Sequence, residues 1–145
     1  GKGYLLRWRL SAKCVTMVVT LKEHRYDVDF DYVRIIAAAD DGKRAIVEAH
    51  ASLPPVTDAS YVKHLIDFLD VVKAAIDGVV GDGVSAECFG GAYNWRDILS
   101  SWVGIVEAST ASAAETGATS AELVHRTTAI VIASKASGRQ PVRLE

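Results

Sequence analysis

The run Tyr26-Asp27-Val28-Asp29-Phe30-Asp31-Tyr32 places a carboxylate at every second position, with His24 three residues before the first. On an extended strand, side chains at i and i+2 share a face roughly 6.5 to 7 Å apart, so three acids in a row repel unless something positive faces them. A divalent cation such as Mg²⁺ or Mn²⁺ would answer that repulsion, with His24 as a further ligand, and such a site could support hydrolysis or phosphoryl transfer. The plainer explanation is a solvated ladder. Arg7, Arg9 and Lys13 also alternate along the first expected strand, and antiparallel pairing would set this basic row against the acidic one. Asp27, Asp29, Asp31 and His24 are therefore the candidate binding residues; the ladder is favoured, and no catalytic residue, metal or cofactor is assigned.

The remaining clusters are weaker. Cys88 lies in Ala86-Glu87-Cys88-Phe89-Gly90-Gly91, where small residues would let backbone N–H groups approach an oxyanion. A thiol nucleophile needs a base, however, and His24, His50, His64 and His125 are scattered, so a buried apolar cysteine is the expectation. Gly81-Asp82-Gly83-Val84-Ser85-Ala86 fits G-x-G-x-x-A, but a dinucleotide fingerprint follows a strand and opens a helix, whereas this one follows a helix. Trp95 and Trp102, seven residues apart, fall on one helical stripe and read as core. Arg126, Lys135, Arg139 and Arg143 make only a modest basic strip.

The elements that would position these residues begin with β patterning. Val15, Met17, Val19 and Leu21 alternate with polar neighbours, as do Tyr26, Val28, Phe30 and Tyr32, which predicts half-buried strands. Asp40-Asp41-Gly42-Lys43 between apolar runs predicts a hairpin over 33–50, since Asp and Gly tolerate the positive φ such turns need. After Pro54-Pro55, a helix capped by Thr57 or Asp58 is expected from the stripe Tyr61, Leu65, Phe68, Leu69, Val72 and Ile76, stopping near Gly78. A glycine-rich connection follows, with a short strand possible over 84–89. Asn94 then caps a second helix, an Ala/Ser/Thr-rich stretch over 107–122 forms a thin helix end or a loop, and 123–134 reads as a central strand, apolar on both faces. A turn at Ser137-Gly138 would return residues 141–144 as an edge strand.

These elements compose an α+β fold, a mostly antiparallel sheet of five to six strands with two helices packed on one face, in a single domain over residues 1–145. A chain of 145 residues can bury roughly two-thirds of its unfolded surface, so it needs no disulfide or metal to fold. The net charge of −2 provides no general field for nucleic acid or an acidic membrane. Two distant cysteines, Cys14 and Cys88, suit a reducing compartment, although one long-range disulfide between them stays open. With no spanning apolar run and no leader pattern at the start, the expected location is cytoplasmic. Two functions fit: a non-catalytic binding or assembly module, self-associating or part of a larger assembly through a sheet edge or open sheet face, or a small metal-dependent hydrolase or phosphoryl-transfer enzyme using the Asp27/Asp29/Asp31 strand. The first is preferred because no catalytic set converges. Its partner would be a second copy or another protein, not nucleic acid or membrane.

Overall fold

The computed structural model describes residues 16–137. Strand β1 (Met17–Leu21) and strand β2 (His24–Val28) form one antiparallel hairpin. Its inward row is the one the alternation predicts: Met17 pairs with Val28, Val19 with Tyr26 and Leu21 with His24, and Val19, Leu21 and Val28 are buried. The two-residue turn Lys22-Glu23 places Lys22 at φ 56°, a left-handed conformation that side-chain-bearing residues rarely adopt.

Beyond the hairpin the expected α+β architecture is wrong. Helix accounts for 71% of the described residues and the only sheet among them has two strands, not five or six. Helix α1 (Val33–Ala51) replaces the hairpin expected around Asp-Gly. Ile35, Ala39, Gly42, Ile46 and Ala49 recur every three or four residues along its inward face, which is helical spacing. The polar residues of the supposed turn face outward instead, where Lys43 pairs with Asp40 at 3.6 Å and Arg44 pairs with Asp41, both at i, i+3.

Helix α2 (Tyr61–Val80) is the helix the sequence predicts, buried through Phe68, Leu69, Val72, Ile76 and Val79. It runs past Gly78 to end at Gly81, whose φ of 149° no side-chain-bearing residue adopts easily. Its N-cap is Ser60, while Asp58 acts one step earlier, accepting hydrogen bonds from the Ser60 backbone N–H at 2.8 Å and hydroxyl at 2.6 Å. Those two bonds hold the Asp58 carboxyl below its ordinary range.

Residues 84–89 form a helical turn, α3 (Val84–Phe89), not a strand. Helix α4 (Trp95–Ala136) then runs for 42 residues through both the Ala/Ser/Thr-rich stretch and the supposed central strand. Asn94 caps it as expected, its side-chain oxygen accepting from the Asp97 N–H at 3.2 Å. Of the two tryptophans placed on its core stripe, Trp102 is 6% exposed but Trp95 is 50% exposed, with Arg96 stacked on its ring. Two compact units divide the chain at Thr110: the first holds the hairpin, α1 to α3 and the start of α4, and the second the remainder of α4. The basic row Arg7, Arg9 and Lys13, residue Cys14 and the expected edge strand over 141–144 lie outside the described residues.

Gly42 explains why α1 can pack as it does. A Cβ there would lie 2.6 Å from the Trp102 ring and 3.0 Å from the Ala75 methyl, so the missing side chain is what admits α4 and α2 against α1. Gly42→Ala should therefore destabilise the fold by about 1–3 kcal/mol through overpacking, although alanine is the better helix former. Urea unfolding checks this, and adding Trp102→Phe, which removes the clashing ring edge, should recover part of the loss.

Candidate functional site

The acidic row does not survive as a row. Asp27 lies on β2 opposite Val18 and points to solvent with its exposed neighbour Arg25. The strand ends at Val28, and Asp29 turns its Oδ1 back to accept the Asp31 backbone N–H at 2.9 Å. Asp29 thus closes a local turn leading into α1, an Asx arrangement that competes with strand continuation. Asp31 is exposed beyond it. His24 opens β2 opposite Leu21, its ring 6.4 Å from that of Tyr26. Among the described residues no three His, Cys, Asp or Glu side chains come together as a cation site. The cations expected to face the row are outside the described residues, so no described residue forms the ladder.

Three polar ties not anticipated from the sequence hold the first unit together. Buried Cys88 on α3 shares a hydrogen bond of 3.2 Å with the Tyr26 hydroxyl on β2, linking residues 62 apart. This bond, then burial, then the neighbouring Cys88 and Glu87 push the Tyr26 phenol above its ordinary value. At the end of α2, Asp77 accepts the Ser85 backbone N–H at 2.8 Å and the Ser85 hydroxyl at 3.0 Å, capping α3 from the preceding helix. Because Ser85 is buried, both donors depend on that carboxylate.

The third tie fastens the segment before α4. The Tyr93 hydroxyl donates to Asp70 at 2.6 Å, while Lys73 donates to the Ala92 carbonyl at 3.2 Å and sits 4.0 Å from the Tyr93 ring centroid. The Asp70 hydrogen bond chiefly raises the Tyr93 pKa, with burial and the charges of Asp70 and Asp67 adding to it. Spacing could have suggested only the helix-face pairs Lys63/Asp67 and Lys73/Asp77; neither Tyr93 nor Ser85 carries a local signal that it will reach α2.

A shallow cavity of about 160 Å³ lies between the end of α1 and the first turns of α2, lined by Ala49, Ser52, Leu53, His64, Asp67, Phe68 and Val71. Its polar members are Ser52, His64 and Asp67: the Ser52 hydroxyl donates to the Glu48 carbonyl at 3.1 Å and His64 Nδ1 lies 2.8 Å from the Ser60 carbonyl, so both are engaged with nearby backbone. Cys88 likewise has Tyr26 as its partner and not a histidine.

No helix among the described residues is long and apolar enough to cross a membrane. Comparison with protein-family models, with curated proteins and with solved structures found no match to this chain.

Two outcomes follow from the ties. Asp77→Ala should cost about 1–3 kcal/mol by leaving the buried Ser85 donors unanswered, and Asp77→Asn less, since its carbonyl still accepts one of them; urea midpoints distinguish the two. Both raised tyrosines hold their proton more tightly folded than unfolded, so their contribution is complete below about pH 10 and is lost as pH rises further. Stability measured between pH 9 and 12 should therefore fall less steeply in Tyr26→Phe and Tyr93→Phe than in the parent.

Proposed function

We propose that this chain is a non-catalytic assembly module, self-associating or a subunit of a larger particle. The observation that carries this is the second unit's apolar surface: on α4, Leu123, Val124, Ile130 and Ile132 are 47%, 64%, 66% and 62% exposed. Large aliphatic side chains gathered on one short stretch of exposed helix lose free energy to water that a protein partner would restore, at roughly 25 cal/mol per Å² of apolar surface covered. The docking element is thus helical. Among the described residues the sheet is a two-stranded hairpin, so the sheet edge or broad open sheet face first expected as the interface is reduced to this hairpin.

The metal-dependent alternative gains nothing from the geometry. Asp27, Asp29 and Asp31 are spread over a strand, a strand end and a turn, and Asp29 is engaged with its own backbone. A net charge of −2 continues to disfavour nucleic acid and anionic membrane as partners. The free thiol of Cys88, hydrogen-bonded to Tyr26, accords with a reducing, cytoplasmic setting.

Sedimentation velocity on the full chain across micromolar to hundreds of micromolar tests the proposal. The expected result is a concentration-dependent oligomer; a monomer throughout would overturn self-association.

A further inference from the structure

Independently of the assembly reading, we infer that Asp82 is a site of spontaneous isoaspartyl conversion and that the conversion frees α3 from the ties that hold it. The chain contains three Asp-Gly pairs, Asp41-Gly42, Asp77-Gly78 and Asp82-Gly83. Aspartate before glycine favours this chemistry, because no Cβ on the following residue shields its amide nitrogen from the carboxyl carbon. The Gly amide nitrogen bonds to the Asp Cγ, and the carboxyl OH leaves with the amide proton as one water. Water then returns at either carbonyl of the five-membered imide. Opening the new bond restores aspartate, whereas opening the original peptide bond leaves the backbone running through Cγ, one methylene longer, with no net change in composition or oxidation state.

The structure selects one of the three pairs. Closing the imide ring turns ψ of the aspartate far from its helical value, so a pair inside a helix reacts only after that helix opens locally. Gly42 is buried within α1, and the Asp41 carboxylate is paired with Arg44. Gly78 lies within α2, and the Asp77 carboxylate accepts both Ser85 donors at 2.8 and 3.0 Å. Asp82 and Gly83 instead sit in the turn between α2 and α3, and both are exposed. Among the described residues the Asp82 carboxylate accepts no hydrogen bond and the Gly83 N–H donates none. Gly83, at φ 81°, has nothing within 4 Å of where a Cβ would stand, so its nitrogen is open to approach.

The same turn sets the position of α3. The Gly81 N–H donates to the Asp77 carbonyl at 3.0 Å, and the Val84 N–H donates to the Gly81 carbonyl at 3.2 Å. Residue 82 thus lies between Asp77 and Ser85, two anchored points eight residues apart. An added methylene there breaks the Val84–Gly81 bond or moves Ser85 away from the Asp77 carboxylate. Helix α3 has six residues, and its buried Cys88 is bonded to Tyr26 at 3.2 Å, so displacing its start opens the Cys88 thiol to solvent.

The test incubates the folded full chain in neutral buffer and follows each Asp-Gly peptide by chromatography and mass spectrometry, which separate isoaspartyl from aspartyl peptides of equal mass. Isoaspartate is expected at position 82 at least about tenfold faster than at 41 or 77, and in urea the three rates should converge. Equal rates at the three positions in the folded chain, or no isoaspartate at 82, would overturn the site; a lead at 82 that persists undiminished in urea would overturn its selection by the structure. The second readout is the labelling of Cys88 by a thiol reagent, located by peptide mapping. Labelling should quicken severalfold in the aged parent and not in aged Asp82→Glu, which keeps the charge but would have to close a larger, slower ring. Unchanged labelling in a parent that carries isoaspartate at 82, or an equal rise in Asp82→Glu, would overturn the release of α3.

Discussion

The contact between Gly42 and Trp102 is the constraint on which the arrangement of the first unit depends. Helix α1 approaches α2 and α4 closely only because residue 42 lacks a Cβ, and the space it leaves is filled by the indole edge and by Ala75. Eight residues further along α1, His50 meets the Phe68 ring edge-on at 5.5 Å, so α1 and α2 run antiparallel with one tight and one looser point of contact. Ile98, Trp102 and Ile105 bring the start of α4 into the same core as Leu69, Val72 and Ile76. The hairpin contributes Val19, Leu21 and Val28 to that core from one face only.

Around this apolar centre the polar ties are of a single kind. Each fastens a connecting segment to helix α2 or to the hairpin: α3 through Asp77 and Ser85, the segment before α4 through Tyr93 and Asp70, and α3 again through Cys88 and Tyr26. Such long-range hydrogen bonds add little net free energy when made, but those to buried Ser85 and Cys88 are expensive to break because a buried group is left unsatisfied, whereas the Tyr93–Asp70 bond is exposed. They define one geometry for the first unit. Each joins one backbone segment of the first unit to another.

The second unit follows the opposite logic. Leu123, Val124, Ile130 and Ile132 are exposed, while the hydroxyls of Ser120, Thr127 and Thr128 donate to carbonyls of their own helix and Arg126 pairs with Glu122.

Local patterns in the sequence determined several features outright. The alternation from Met17 to Val28 specified two strands and their buried row, though not their pairing, the stripe from Tyr61 to Ile76 specified α2, and Asn94 specified where α4 begins. In each case the burial period or the cap lies within a few residues and leaves one conformation that satisfies it. Tertiary structure decided the rest. Asp40-Asp41-Gly42 carries the chemistry of a tight turn, yet the glycine is consumed by helix packing against Trp102, a residue 60 positions away. The β-branched run at Ala129–Ala133 suits a buried strand as well as a helix, and it is helical because α4 propagates through the preceding Ala/Ser/Thr stretch with no proline to stop it. The aspartates alternate as a strand face would, but Asp29 spends its carboxylate on the Asp31 N–H and ends the strand. At Gly42 a partner 60 residues away chose between two conformations that the local pattern allowed equally, whereas at Asp29 and along α4 a neighbouring bond or helical turn outcompeted the strand.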